Sequence, residues 1–376
     1  MTYAQFPVNL DSIAGAPMSP SVLSAWHSAA QQGFSDPARM HHVGRQAGLL
    51  LESARSSIAN SLGVNRSQIY FAASAPEAIR VAIQGVYQQR HRVSSRVIAS
   101  NIESLAVLNS LENLVNHDGA EFIRVPALKS GALDLDAMHQ ALQSSAALAC
   151  IQIANAEVGT RQPFAEVLVW ARAAGIPVIS DATGVISHDQ LPEDFDLLIA
   201  PARDWGGPPG VAILVTNPGF HWRPEEAPDR GWIGGFPDIP SAVAAAVALE
   251  EKSDWEVSAQ QSRELIDVVR GKLENMGIVG FQCTGDPHNR LPHILTFTIE
   301  GAAAGALVTE LDKRGFYVAS GSACTADSRM PSHVLEAMGL PRESSIRISL
   351  PPTCTPDDIR EFLQALPDAL ETVVAD

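Results

Sequence analysis

Lysine is scarce in this 376-residue chain: Lys129, Lys252, Lys272 and Lys313 are all there is. Positive charge as a whole is short, with 26 Lys and Arg against 42 Asp and Glu, a formal net charge of −16. That balance argues against nucleic acid and an anionic membrane surface as partners. No apolar run reaches membrane-spanning length, and the opening MTYAQFPVNLD lacks a signal-peptide pattern. The four cysteines, Cys150, Cys283, Cys324 and Cys354, lie far apart and form no CxxC pair. Such spacing suits a reducing cytoplasm, with neither a disulfide framework nor a zinc site. His41 and His42 have no third ligand nearby in sequence and read as a helix cap or surface pair, so no metal site is expected. Internal repeats and low-complexity tracts are absent too.

What is present is an alternation of apolar strands and amphipathic helices, which specifies an α/β fold. The length suffices for two lobes with separate cores. Residues 15–250 read as a large domain, and residues 1–14 with 251–376 as a smaller one. Ser19 or Ser21 is the candidate cap of a first helix. Val43, Ala47, Leu50, Ala54, Ile58 and Leu62 recur at helical spacing. A strand is expected over 148–154, and one helix from the Ala/Val-rich stretch after Pro240 through to about Asn275.

The stretch from Asp196 to Gly210 organises the rest. Phe195, Leu197, Leu198, Ile199 and Ala200 read as a buried strand, followed by a short polar segment, a Gly/Pro turn and a second strand from Val211 to Val215. Ligands of open α/β sheets sit at the carboxyl ends of strands, which places Pro201 to Trp205 at a site. This stretch resembles D-x-x-x-x-S-x-H-K-x-x-G-P-x-G of the cysteine desulfurase branch of the class V aminotransferases. Those are fold type I transferases dependent on pyridoxal phosphate (PLP), with a large α/β/α domain around a mostly parallel sheet and a smaller α+β C-terminal domain. The motif's lysine carries the cofactor as a Schiff base. Here that position is Asp204.

The resemblance runs from about residue 9 to 370 and is densest near the C-terminus. S-G-S-A-C, P-S-H-V-L and S-S-I-R-I-S are all present. It assigns Cys324 as the sulfur-accepting nucleophile and Arg347 as the grip on a substrate carboxylate, a task suited to a planar bidentate donor. An inert thiol and an ordinary interface ion pair are the alternatives for these two. Asn155 and Asp181 also match, Asp181 at the position that holds the pyridinium nitrogen, although a strand-end carboxylate can equally be a cap or an ion-pair partner.

Other cofactor positions depart. Pro76 replaces a phosphate-binding Thr, Pro201 a Ser, Arg203 a His, and Phe236 the Thr that crosses a dimer. Ser104 replaces the His that stacks on the ring, and Gly184 the Gln beside the ring hydroxyl. A carboxylate cannot form an imine. These departures imply no bound cofactor and a desulfurase-like scaffold, regulator or partner in sulfur or iron–sulfur metabolism, as a homodimer or as a heterodimer with an active relative. An unconventional PLP enzyme and a cofactor-free thiol enzyme or persulfide carrier built on Cys324 remain as alternatives. Arg203 is expected to pair with Asp181 or Asp204.

Overall fold

The computed structural model describes residues 7–186, 188–220, 222, 231–252, 254–321, 332–341 and 345–374. The chain starts with β1 (Val8–Asn9), α1 (Pro20–Gln32) and α2 (His42–Ser61). Ser19 Oγ accepts from Val22 N–H and caps α1. His41 caps α2 by accepting from Gly44 N–H, which gives that histidine a structural task.

The alternating segment follows: β2 (Ile69–Ala72), α3 (Ala75–Arg90), β3 (Arg96–Ser100), α4 (Leu105–Asp118), β4 (Glu121–Val125), α5 (Leu135–Leu142) and β5 (Leu148–Cys150). Then come α6 (Phe164–Ala173), β6 (Val178–Asp181), β7 (Leu197–Pro201), β8 (Ala212–Thr216) and β9 (Trp232–Ile233). These strands form one eight-stranded sheet in the order β4-β3-β5-β6-β7-β8-β2-β9, with β8 antiparallel to both its neighbours. Separate apolar cores cover its two faces, one including Ile58, Phe71 and Trp205, the other Ile79, Leu111 and Leu214. Burial on both faces explains the near-continuous apolar runs of these strands.

α7 (Ile239–Glu250) and α8 (Trp255–Asn275) divide the stretch expected as one helix. Asp254 opens α8, and Asp favours helix ends because its side chain competes for backbone groups. The second sheet is antiparallel, in the order β10 (Phe281–Thr284), β11 (Ile294–Ile299), β14 (Ser345–Ser349), β13 (Ala319–Ser320). α9 (Ala304–Lys313), β12 (Phe316–Tyr317), α10 (His333–Ala337) and α11 (Pro356–Val374) complete this lobe, and β1 pairs with β12 in parallel. Leu10, Phe297 and Phe362 lie in its core, so the N-terminal arm packs with the C-terminal third. Among the described residues no helix is long and apolar enough to cross a membrane.

Candidate functional site

The strand expected over 148–154 is regular only over Leu148–Cys150, although Ile151 and Ile153 N–H still donate to the Ile179 and Asp181 carbonyls of β6. Residues 152–157 then leave the sheet and, with the ends of β6 and β7, border a cavity of about 80 Å³. The large sheet supplies Asp181 and Arg203, and the C-terminal lobe supplies His333 and Arg347.

β7 ends at Pro201 and passes into one 3-10 turn, Ala202–Trp205. Trp205 anchors the turn: its ring is fully buried and its Nε1–H donates to the Ala245 carbonyl at 2.9 Å. Burying a ring of this kind contributes roughly 1.5–3 kcal/mol. Gly207 allows the close approach, since a Cβ there would lie 2.9 Å from Ala202 Cβ.

Asp204, one residue before this anchor, is buried. Its Oδ2 accepts from Gly184 N–H at 2.5 Å, and its Oδ1 has no hydrogen-bond partner among the described residues. Burial pushes its pKa up to about 7, against the pull of Arg203 and the Gly184 bond. Arg203 departs from expectation. Its Nε donates to the Ile13 carbonyl at 3.2 Å, and no ion pair to Asp181 or Asp204 forms among the described residues. Gly184 N–H already engages Asp204, and the arm carrying Ile13 offers a carbonyl on the other side.

Asp181 sits at the end of β6, where its Oδ1 accepts from Thr183 N–H and Oγ1–H at 2.9 and 2.7 Å. It is thus a local turn cap and a cavity wall at once. Asn155 also lines the cavity, but its amide is engaged: Nδ2 donates to the Ile102 carbonyl, and Oδ1 accepts from Glu157 and Val158 N–H. Ser104 precedes α4 and faces the cavity with its hydroxyl unpartnered. Pro76 lies in the first turn of α3, behind Ser74, whose Oγ accepts from Glu77 N–H; the Pro removes one donor from this helix end.

Arg347 on β14 is 1% exposed, and its Nη2 donates to Asp11 Oδ1 at 2.7 Å. Its Nε and Nη1 have no partner among the described residues, and it borders the cavity. Phe236 lies apart from these groups, 61% exposed. Cys324 lies outside the described residues.

Two further cavity groups, Glu103 and Glu157, are not among the residues expected to form the site. Glu103 is 1% exposed, accepts from Gln152 N–H through Oε1 and leaves Oε2 unpartnered among the described residues. Burial raises its pKa to about 8, with nearby Asp181 adding to the effect and the Gln152 bond opposing it. Glu157 accepts from Ser332 Oγ–H, has no partner for Oε2 among the described residues, and its pKa is also raised by burial. Their sequence signal is the resemblance itself: Glu103 falls on the Glu of S-x-x-E-H-x-x-V-L and Glu157 on that of N-N-E-x-G-x-x-Q-P.

Residues 8–221 and 221–362 match the class V aminotransferase family. The chain is 35% identical over 382 residues to an IscS-like cysteine desulfurase of Mycobacterium tuberculosis, covering 96% of this chain and 95% of that one. It is 29% identical to the cysteine desulfurase IscS of Methanosarcina thermophila, over 97% and 92% of the two chains. A solved NifS-like protein superposes with a TM-score of 0.88 at 26% identity, covering 98% of this chain and all of that one. The chain is desulfurase-like over nearly its whole length, with the expected fold. The same matches overturn the expectation of no cofactor: the family works with PLP, and PLP is the cofactor to be expected here.

The residues suit the ring and the anionic ends of such a group. Asp181 offers a carboxylate to a pyridinium nitrogen, and Arg203 and the α3 N-terminus offer charge and dipole to a phosphate. They do not suit the covalent link, because Asp204 has no amine.

Proposed function

Because this chain belongs to the class V aminotransferase family, we propose that it is a desulfurase-like protein of sulfur metabolism that works without a lysine-linked cofactor. On this reading PLP or its amine form is held by charge and shape alone, and the chain does not turn over cysteine as a lysine-bearing desulfurase does. Its role is that of a regulator or partner for sulfur-transferring proteins. The observation that carries the proposal is Asp204, buried at the end of β7 and tied to Gly184.

When bound, PLP supplies an electron sink for an amino-acid substrate. The chain's own groups do the rest. Arg347 presents two free N–H donors to a carboxylate, and Asp181 accepts from a protonated ring nitrogen. Glu103, its pKa raised to about 8, is mostly protonated at neutral pH and can donate where an ordinary glutamate would only accept.

Two measurements on the purified protein test this. After incubation with PLP, equilibrium dialysis should show bound cofactor, while borohydride treatment followed by intact-mass analysis should show no added pyridoxyl mass. With cysteine and a reductant, sulfide release should stay at the level of the protein-free control. A borohydride-stable adduct with steady sulfide release would refute the proposal, and so would no detectable cofactor binding.

A further inference from the structure

His188 and His293 stack face to face at the seam between the two lobes, ring centroids 3.8 Å apart and planes 24° from parallel. His188 belongs to the segment that leaves β6 through Asp181 and Gly184. His293 directly precedes β11, and its carbonyl accepts from Leu350 N–H just past β14. Both side chains are buried, His293 at 0% exposure. Of the four ring nitrogens, only His188 Nδ1 has a partner among the described residues, the Ile186 carbonyl at 3.2 Å.

Among the described residues, no carboxylate is among the groups that act on either ring. The charges acting on His188 and His293 come from Lys252 at the end of α7, Arg290 before β11 and Arg347 on β14, all cationic. Asp189, next in sequence to His188, is paired with Arg161, and the cations Arg290 and Arg347 are paired with Asp267 and Asp11. Two imidazolium rings could not remain stacked at this distance without a counter-ion.

The seam also bounds the functional site. A Cβ on Gly184 would lie 3.6 Å from Leu291 and 3.9 Å from Ile294, so the segment bearing His188 packs directly on the chain bearing His293. Gly184 is the residue that bonds Asp204, and Ile294 pairs with Ser349 two residues beyond Arg347. Separating the rings would therefore draw the Asp181–Asp204 side of the cavity away from the Arg347 side.

We propose that the His188–His293 stack is an acid-sensitive latch between the lobes, closed while both rings are neutral and released when either is protonated. Burial drives His188 down to about 4 and His293 well below its ordinary value, so the closed form resists protonation while a solvated, open form takes protons near 6.5. The sign follows from that difference. Between those values the open form binds more protons, so closure weakens as pH falls, by about tenfold per histidine per pH unit.

Hydrogen–deuterium exchange with mass spectrometry, corrected for the intrinsic pH dependence of exchange, tests the latch on the full chain. Between pH 7 and pH 5, opening of segments 182–186 and 291–295 should rise at least tenfold, while β3 stays protected. His188→Phe with His293→Phe keeps two stacked rings and removes the titration, and should flatten that rise. If the double variant does not fold, His188→Phe alone should reduce the slope by about half. Equal pH dependence in wild type and variant, or a rise shared evenly by β3 and the seam, overturns the latch.

Discussion

Asp204 Oδ2 accepts from Gly184 N–H at 2.5 Å, so two positions that depart from the desulfurase pattern are in direct contact. Gly184 holds φ at +81°, and a Cβ there would come 3.0 Å from Ile13 Cδ1. Gly184→Gln, the family residue, should therefore destabilise the fold. A side chain in left-handed backbone costs about 1–2 kcal/mol, while the flexible end of Ile13 can yield. Thermal melting should show a drop of a few degrees; an unchanged or higher midpoint would mean the turn is free to adapt.

The carboxyl of Asp204 makes a second, pH-dependent prediction. Its folded pKa of about 7 lies above the ordinary 3.8, so the folded chain holds this proton where the unfolded chain has lost it. The stability linked to that proton is full below the unfolded value and is lost as pH rises through about 7. Asp204→Asn still accepts from Gly184 N–H but never ionises. It should be more stable than wild type at pH 8, by an amount on the order of a few kcal/mol, with the gap closing toward pH 5. Denaturant midpoints at pH 5, 6.5 and 8 measure it, and a gap independent of pH would count against a buried, titrating Asp204.

How far the sequence shows these features depends on their range. The strand through Leu197 to Ala200 and the helix start at Ser74–Pro76 rest on neighbours within a few residues and lie where the local pattern put them, and of the local alternatives Ser19 caps α1 and His41 caps α2. The Asp204 position needed only an ungapped count. By contrast, Arg347 with Asp11, His188 with His293, and Glu157 with Ser332 join residues over a hundred positions apart, and no local pattern signals such pairs. Arg203 shows the same limit: two plausible carboxylates stood close in sequence or motif, but the carbonyl of Ile13, 190 residues away, took its donor.

Phe236 carries the prediction on assembly. Phe236 is 61% exposed beside Gly234 and Gly235, and Trp26 and Phe34 are exposed as well, so apolar rings are available for a second chain to cover. We expect a homodimer, or a heterodimer with a related desulfurase, through an interface on the order of 2,000 Å² or more. Phe236→Ser should weaken it. Light scattering at micromolar concentration that finds a monomer, both alone and with candidate partners, would exclude this assembly.

Arg347 should separate binding from folding. Arg347→Lys keeps a cation for Asp11 but loses the planar fork, so affinity for free cysteine or another small amino acid should fall at least tenfold with little change in melting temperature. Arg347→Met leaves Asp11 unpaired and should destabilise as well, though by less than the 3–5 kcal/mol typical of a fully buried pair, because Asp11 remains partly exposed. Titration calorimetry with cysteine alongside melting curves distinguishes the two. Unchanged affinity in both variants would leave Arg347 a purely structural tie between the N-terminal arm and β14.

Restoring the amine tests whether Asp204 is the whole lesion. Asp204→Lys can form the covalent link, and borohydride should then trap a pyridoxyl adduct that intact-mass analysis detects. Sulfide release from cysteine should nevertheless remain near background. Ser104 cannot stack on the ring, Gly184 has no side chain to reach it, and Pro76 leaves the α3 N-terminus one donor short. Each hydrogen bond lost to a charged phosphate is worth roughly 1.5–3 kcal/mol, and three such positions (Pro76, Pro201 and Phe236) carry side chains that cannot donate. The new ammonium would also sit beside Arg203 and replace an acceptor that Gly184 N–H now uses. A linked but loosely held ring lacks the fixed geometry that proton transfer requires. Steady sulfide release from the Asp204→Lys variant would overturn this ordering and reduce the other departures to tolerated variation around a single missing amine.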